Sequence, residues 1–196
     1  MRKILVTAAS IGSAAVFGIL SANAAESSFM LAKELAPAKG GGSKLLVTSD
    51  SIKAGQVSDR YTQNGENVSP SVNWTKGPTG TQSYAIILED AGLGHTEPVA
   101  HWVVYDLPST ATRISENQPT QPQLLIASQG LNVRDASGFL GPKPPAGETH
   151  SYHMQVFALN TRLKLDPAKA DRDDVVKAMK GHVLGLGEAL FSYTGK

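Results

Sequence analysis

Two histidines and one carboxylate stand at the mouths of strand-like segments. His101 opens the aromatic and β-branched run His101-Trp102-Val103-Val104-Tyr105, and His150 immediately precedes the run from Ser151 to Leu159. Asp90 ends the continuous apolar run of Tyr84 to Leu88, eleven residues before His101. If these strands are neighbours, the three groups meet at one sheet edge. A carboxylate within ~4–6 Å of an imidazole favours the charged ring, and two such rings can hold a phosphate or a carboxylate. One charge pair at 4 Å is worth about 4 kcal/mol before desolvation at an effective dielectric near 20. That orients an anion without binding it tightly.

Strand alternation sharpens the expectation. Side chains two apart share a face, so His150, Tyr152 and Met154 should point together while His153 and Gln155 point away. Ahead of this strand lies Gly141-Pro142-Lys143-Pro144-Pro145-Ala146-Gly147. Its prolines fix φ and supply no amide donors, so the loop keeps its shape. It can wall a shallow pocket or serve simply as a rigid turn into the strand.

Other chemistry finds little support. There is no cysteine, which excludes thiol catalysis and thiolate metal sites. No Gly-x-Ser-x-Gly elbow or His-Glu-x-x-His helix occurs, and neither Gly40-Gly41-Gly42 nor Gly185-Leu186-Gly187 continues into Gly-Lys-Ser/Thr. A metal held by Asp90, His101 and His150 is chemically allowed, but the expectation is no metal and no cofactor. No nucleophile or electrophile-stabilising motif accompanies the histidines, so an acid–base enzyme ranks last among the readings.

The elements that must position these groups follow from the rest of the chain. Arg2 and Lys3, an apolar run from Ile4 to Leu20 and Ala22-Asn23-Ala24 form the pattern of a secretory signal peptide, residues 1–24. Export, to a bacterial periplasm or beyond, is the expectation. Cleavage takes Arg2 and Lys3 with it and leaves 16 basic against 17 acidic residues, a formal charge of −1. A near-neutral chain without a basic stripe gives no case for nucleic acid. No later segment has the length of a membrane span, so stable membrane insertion is not expected. Residues 25–43, with Pro37 to Ser43 rich in glycine, read as a flexible leader, and residues 44–196 as one domain. Within it, Leu45 to Ser49, the three segments above and Ala189 to Tyr193 read as strands, with a short one near Leu124 to Ile126. Residues 109–149 read as long ordered loops. One helix is expected after Asp171, with Val175, Val176 and Met179 on its apolar stripe and Gly181 at its end.

Four blocks in this order resemble the phosphatidylethanolamine-binding protein family, its bacterial branch in particular. They are Tyr61 to Pro70 followed by Trp74; Glu89-Asp90 with His101 to Pro108; Gly141-Pro142-Lys143-Pro144-Pro145 through His150-Ser151-Tyr152; and Met179 to Tyr193. The resemblance spans about residues 45–194. It implies a mainly β fold, a large antiparallel central sheet packed on a smaller sheet, with a few peripheral helices. It implies an anion pocket of Asp90, His101, Pro144, Pro145, His150 and Tyr152, with Gly141 shaping the wall, that accepts phosphate-like groups such as phospholipid headgroups. The alternative it carries is an inhibitor or modulator of a protein partner, a protease or a signalling enzyme, with loops 109–149 as the contact surface. A homodimer is in keeping with bacterial relatives, though no apolar stripe argues for one. One departure stands out. The family's Asp-Pro-Asp-Ala-Pro segment is here Asp90-Ala91-Gly92-Leu93-Gly94, so the second acid is replaced by Gly92. A less acidic, more mobile rim is expected, with Gly92 and Gly94 able to adopt positive φ.

Overall fold

Four long strands carry the molecule, and three of them hold the residues singled out above. In the computed structural model, which describes Leu35, residues 42–92 and residues 99–196, these are β6 (Ser83–Asp90), β7 (Val99–Pro108), β10 (Thr149–Leu159) and β11 (Val183–Thr194). Shorter strands are β1 (Ser43–Lys44), β2 (Val47–Thr48), β3 (Ile52–Lys53), β4 (Gln56–Val57), β5 (Val72–Trp74), β8 (Arg113–Ile114) and β9 (Ser128–Gln129). The large sheet runs β3-β4-β11-β10-β6-β7-β9, with β1 also paired to β11, and a smaller sheet runs β2-β5-β8.

The large sheet is antiparallel through its centre, as expected, but mixed at one side. Both β1 and β4 lie parallel to β11. The chain pairs β1 at Gly185 and Leu186, crosses to the small sheet as β2, and returns as β4 at Ser192. It thus meets the long strand twice in the same direction.

Two cores follow from the alternation of side chains along the central strands. On one face Tyr84, Ile86, Leu88, Trp102, Val104, Met154 and Val156 pack against Val47, Val72, Trp74 and Ile114 of the small sheet. On the other, Ala85, Ile87, Val103, Tyr105, Phe157 and Leu159 pack against Val175, Val176 and Met179. Those three belong to α1 (Arg172–Met179), whose Asp171 cap accepts from the Asp173 and Asp174 amides at 2.9 and 3.0 Å. Gly181 follows the helix with φ +81°, a left-handed conformation that suits glycine. Among the described residues the only other helical element is a 3-10 turn at Asp59–Tyr61.

Some expectations shift. The short strand near Leu124 to Ile126 is instead a turn, closed by the Leu124 amide donating to the Ala127 carbonyl at 2.8 Å, and pairing resumes at β9. Leu125 at the tip is fully exposed. The signal-peptide span 1–24 lies outside the described residues. Of the leader 25–43, Leu35 is buried in the second core and Ser43 pairs with Gly185; at those two positions the chain is held, because an apolar side chain and an open strand edge find partners there.

Loops 109–149 are ordered by a buried polar anchor. Gln129 accepts from the Trp102 indole at 2.7 Å and donates to the carbonyls of Pro119 and Gln121 at 2.7 and 2.9 Å. The loop wall is thereby fastened beside the strand residue that follows His101.

Candidate functional site

A break in strand alternation brings the first histidine to the carboxylate. Leu88 faces Trp102 and Glu89 faces Ala100, so His101 has no opposite number on β6 and is the extra residue of a β-bulge. Trp102 and Val104 lie in the first core and Val103 and Tyr105 in the second. Unbroken alternation would put His101 on the second face. The bulge sends Ala100 there instead and turns His101 edge-on to Tyr152, with ring centroids 5.4 Å apart. Bulges re-aim side chains in this way near functional sites.

The second histidine arrives by plain pairing. Tyr152 lies opposite Asp90 on β6 and Phe191 on β11, and His150 lies opposite Tyr193. His150, Tyr152 and Phe191 form a layered stack, with centroid spacings of 6.5 and 5.2 Å. His153 and Gln155 point away, as expected. His153 bonds Glu188 at 2.9 Å, and this bond holds the Glu188 carboxyl below its ordinary range. Gln155 donates to Glu89 at 2.7 Å, while Arg172 of α1 pairs with the same carboxylate at 2.9 Å. This buried network on the far face pins the end of β6, where Asp90 sits.

Asp90 gathers the site. Its carboxylate accepts from the Gly92 amide at 2.7 Å and from His150 Nδ1 at 2.9 and 3.1 Å, and its Oδ2 lies 3.8 Å from His101 Nε2. All three side chains are buried to more than nine-tenths. The partners set the tautomers. A carbonyl only accepts, so His101 Nδ1, 2.7 Å from the Leu140 oxygen, carries a proton. His150 Nδ1 carries one for the same reason, because an ionised carboxylate has none to give. In each ring Nδ1 is therefore the committed donor. Tyr152 is fully buried between them, and its hydroxyl has no hydrogen-bond partner among the described residues. Burial, and next the charge of Asp90, push this phenol far above its ordinary pKa, so it stays a neutral donor.

The proline loop spans the gap between the two histidines. It leaves Leu140, whose carbonyl holds His101 and whose amide donates to the His101 carbonyl at 2.8 Å, and it ends at Thr149. Gly141 is there because nothing larger fits: a Cβ would stand 2.7 Å from Asn67 Oδ1, Thr62 Cα and the Tyr61 oxygen. Asn67 Oδ1 accepts from the Gly141 amide and Gln63 donates to its carbonyl, both at 2.7 Å. The Tyr61 to Pro70 block is thus the loop's brace. Pro144 is buried and Pro145 exposed, and the carbonyls of both press on Gly195.

Every residue expected at the site lies in this cluster or in the loop across it. Sequence reasoning missed two neighbours, Leu140 and Glu148, and misread a third, Gly92. Leu140 acts through its carbonyl, which leaves no side-chain signal. Glu148, largely exposed, places Oε2 3.6 Å from His150 Nε2. Gly92 was expected to free the rim by adopting positive φ, yet it does not. It packs flat against His150: a Cβ there would lie 2.3, 2.5 and 2.6 Å from Nδ1, Cγ and Cε1 of the ring. Its being glycine was the signal, but for close approach and not for rotation. Gly94 lies outside the described residues.

Two hollows are described besides the cluster. One of about 780 Å³ is lined by Lys76 to Thr81, Tyr84 and residues 109–112, beyond the opposite end of β6. Another, of about 520 Å³, is lined by Arg134, Asn132 and Leu140 among others. The histidine cluster is singled out by its chemistry. Among the described residues no group of three or more metal-ligating side chains is placed to hold an ion, and no helix is long and apolar enough to cross a membrane.

Comparison with known proteins agrees with the fold. The family model for phosphatidylethanolamine-binding protein matches residues 48–194. A UPF0098 protein of Methanothermobacter thermautotrophicus is 38% identical over 140 residues, 71% of this chain and 91% of that protein. One of Aquifex aeolicus is 36% identical over 157 residues, 78% of this chain and 90% of that protein. Among solved structures, E. coli YbcL, described as a member of the mammalian PEBP family, superposes with a TM-score of 0.70 at 26% identity, covering 79% of this chain and 100% of that one. A Chlamydia trachomatis homolog gives a TM-score of 0.67 at 24% identity, covering 78% and 99%, and shares the fold.

The contact between Gly92 and His150 makes a direct prediction. Gly92→Ala must displace either the ring or the backbone that donates to Asp90, at a cost of about 1–3 kcal/mol. Urea unfolding should show that loss, and the His150 ring resonances should shift. Wild-type stability with unmoved resonances would show that the contact is not tight.

Proposed function

The chain belongs to the phosphatidylethanolamine-binding protein family, and from that premise we propose that it holds a small anion or a phosphorylated headgroup between His101 and His150. One observation carries the reading: a single buried carboxylate, Asp90, contacts both imidazoles, while Leu140 and Asp90 occupy the Nδ1 atoms. In the protonated form each ring offers an Nε2–H to an oxyanion, a charge-assisted donor. Tyr152, buried and in ring contact with both histidines, holds the two rings in place. The role of the histidines in this account is to hold and not to shuttle protons.

The same account has the protein exported, on the strength of the charge, apolar core and small-residue ending of residues 1–24. Mass spectrometry of protein secreted from a bacterial host is expected to find a chain beginning at Ala25, and an intact Met1 would contradict export.

Binding is tested by titration calorimetry with inorganic phosphate and with phosphoethanolamine at fixed ionic strength. Removing one charge-assisted bond costs about 1.5–3 kcal/mol. His101→Ala and His150→Ala should each therefore weaken the wild-type affinity about ten- to a hundredfold. Equal heats in wild type and variants would overturn the assignment.

A further inference from the structure

Around His150 almost everything is fixed. Asp90 holds Nδ1, Gly92 lies against the ring, and Tyr152 stacks beneath it. Among the described residues the exception is Glu148. Its backbone is pinned, the amide donating to the Pro145 carbonyl at 3.0 Å and the carbonyl accepting from the Gly195 amide at 2.9 Å. Its side chain is not buried: 61% of it is exposed, and it reaches back to place Oε2 3.6 Å from His150 Nε2. A carboxylate thus stands at the nitrogen that an incoming oxyanion would use, on a side chain that can swing into water at little cost.

Resting on the anion reading above, we infer that Glu148 is a specificity-determining residue: a displaceable internal carboxylate that competes with the ligand for His150 and sets the charge the site accepts. A bound anion must push Glu148 off Nε2 and then tolerate a negative charge a few ångströms away. The penalty grows with the ligand's own charge, because the repulsion is proportional to it. The wild-type site is accordingly biased towards singly charged oxyanions and against dianions. Position 92 cannot play this part, since the His150 ring fills the space its side chain would need. Among the described residues the acid beside His150 Nε2 comes from the proline-loop side instead.

The test is calorimetric titration of the full mature chain at pH 6.5 and constant ionic strength with two probes, sulfate as dianion and formate as monoanion. Wild type is compared with Glu148→Gln, which removes the charge and keeps the shape, and with Glu148→Asp, which keeps the charge and draws it back by one methylene. An exposed carboxylate near 4 Å is screened by water, so about threefold per ligand charge is expected. Glu148→Gln should tighten formate about threefold and sulfate about tenfold, with Glu148→Asp between wild type and Gln. The Glu148→Gln circular dichroism and unfolding midpoint should match wild type, as the side chain is exposed. If both probes bind all three proteins equally, or bind Glu148→Gln more weakly, the competing role is wrong while anion binding stands. If neither probe binds any of the proteins, the anion reading falls and this inference with it.

Discussion

The buried carboxylate of Asp90 is the constraint on which the site depends. A charge removed from water at this depth is costly unless it is met by donors, and the chain meets it with the Gly92 amide and the Nδ1–H of His150, with the His101 ring close by. Each partner is fixed by a different element. The Gly92 amide comes from the turn out of β6, His150 from the start of β10, and His101 from the bulge of β7. Satisfying one carboxylate therefore aligns three strand ends. It also commits Nδ1 of His150, while the Leu140 carbonyl commits Nδ1 of His101.

The same logic explains why so much structure lies behind a small cluster. The far-face network of Glu89, Gln155 and Arg172 ties the end of β6 to α1. Gln129 ties the loop wall to Trp102. Gln63 and Asn67 hold Gly141, and the Gly195 backbone seats the loop's other end. Rigid surroundings of this kind are what the proposed anion site needs in order to orient its ligand. The Glu148 side chain is exposed by contrast, which is why the proposed selectivity is placed there.

Much of this was legible in the residues themselves. Period-two patterning gave the faces of β10, so His150 and Tyr152 could be placed together and His153 set aside. The helix announced its cap at Asp171, its stripe and its stop at Gly181. The resemblance joined His101 to His150 when spacing could not. What stayed hidden was non-local. The bulge at His101 depends on how β7 registers against β6, and the Leu140 carbonyl acts through backbone that carries no residue signature. Gly92 shows the limit well. A glycine can mean a positive φ or a close approach, and only the position of the His150 ring decides between them. The parallel edge of the large sheet is similar, since two-residue strands have no periodicity to read.

The account turns on Asp90 commanding both imidazoles, and long-range proton–nitrogen correlation NMR reads their tautomers directly. At a pH where the rings are neutral, it predicts Nδ1–H and unprotonated Nε2 for both His101 and His150. It also predicts that Asp90→Asn perturbs His150 most, through lost donation at Nδ1, while His101 keeps its Leu140 bond. An Nε2–H tautomer at His150 in the wild-type protein, or spectra indifferent to Asp90→Asn, would contradict it.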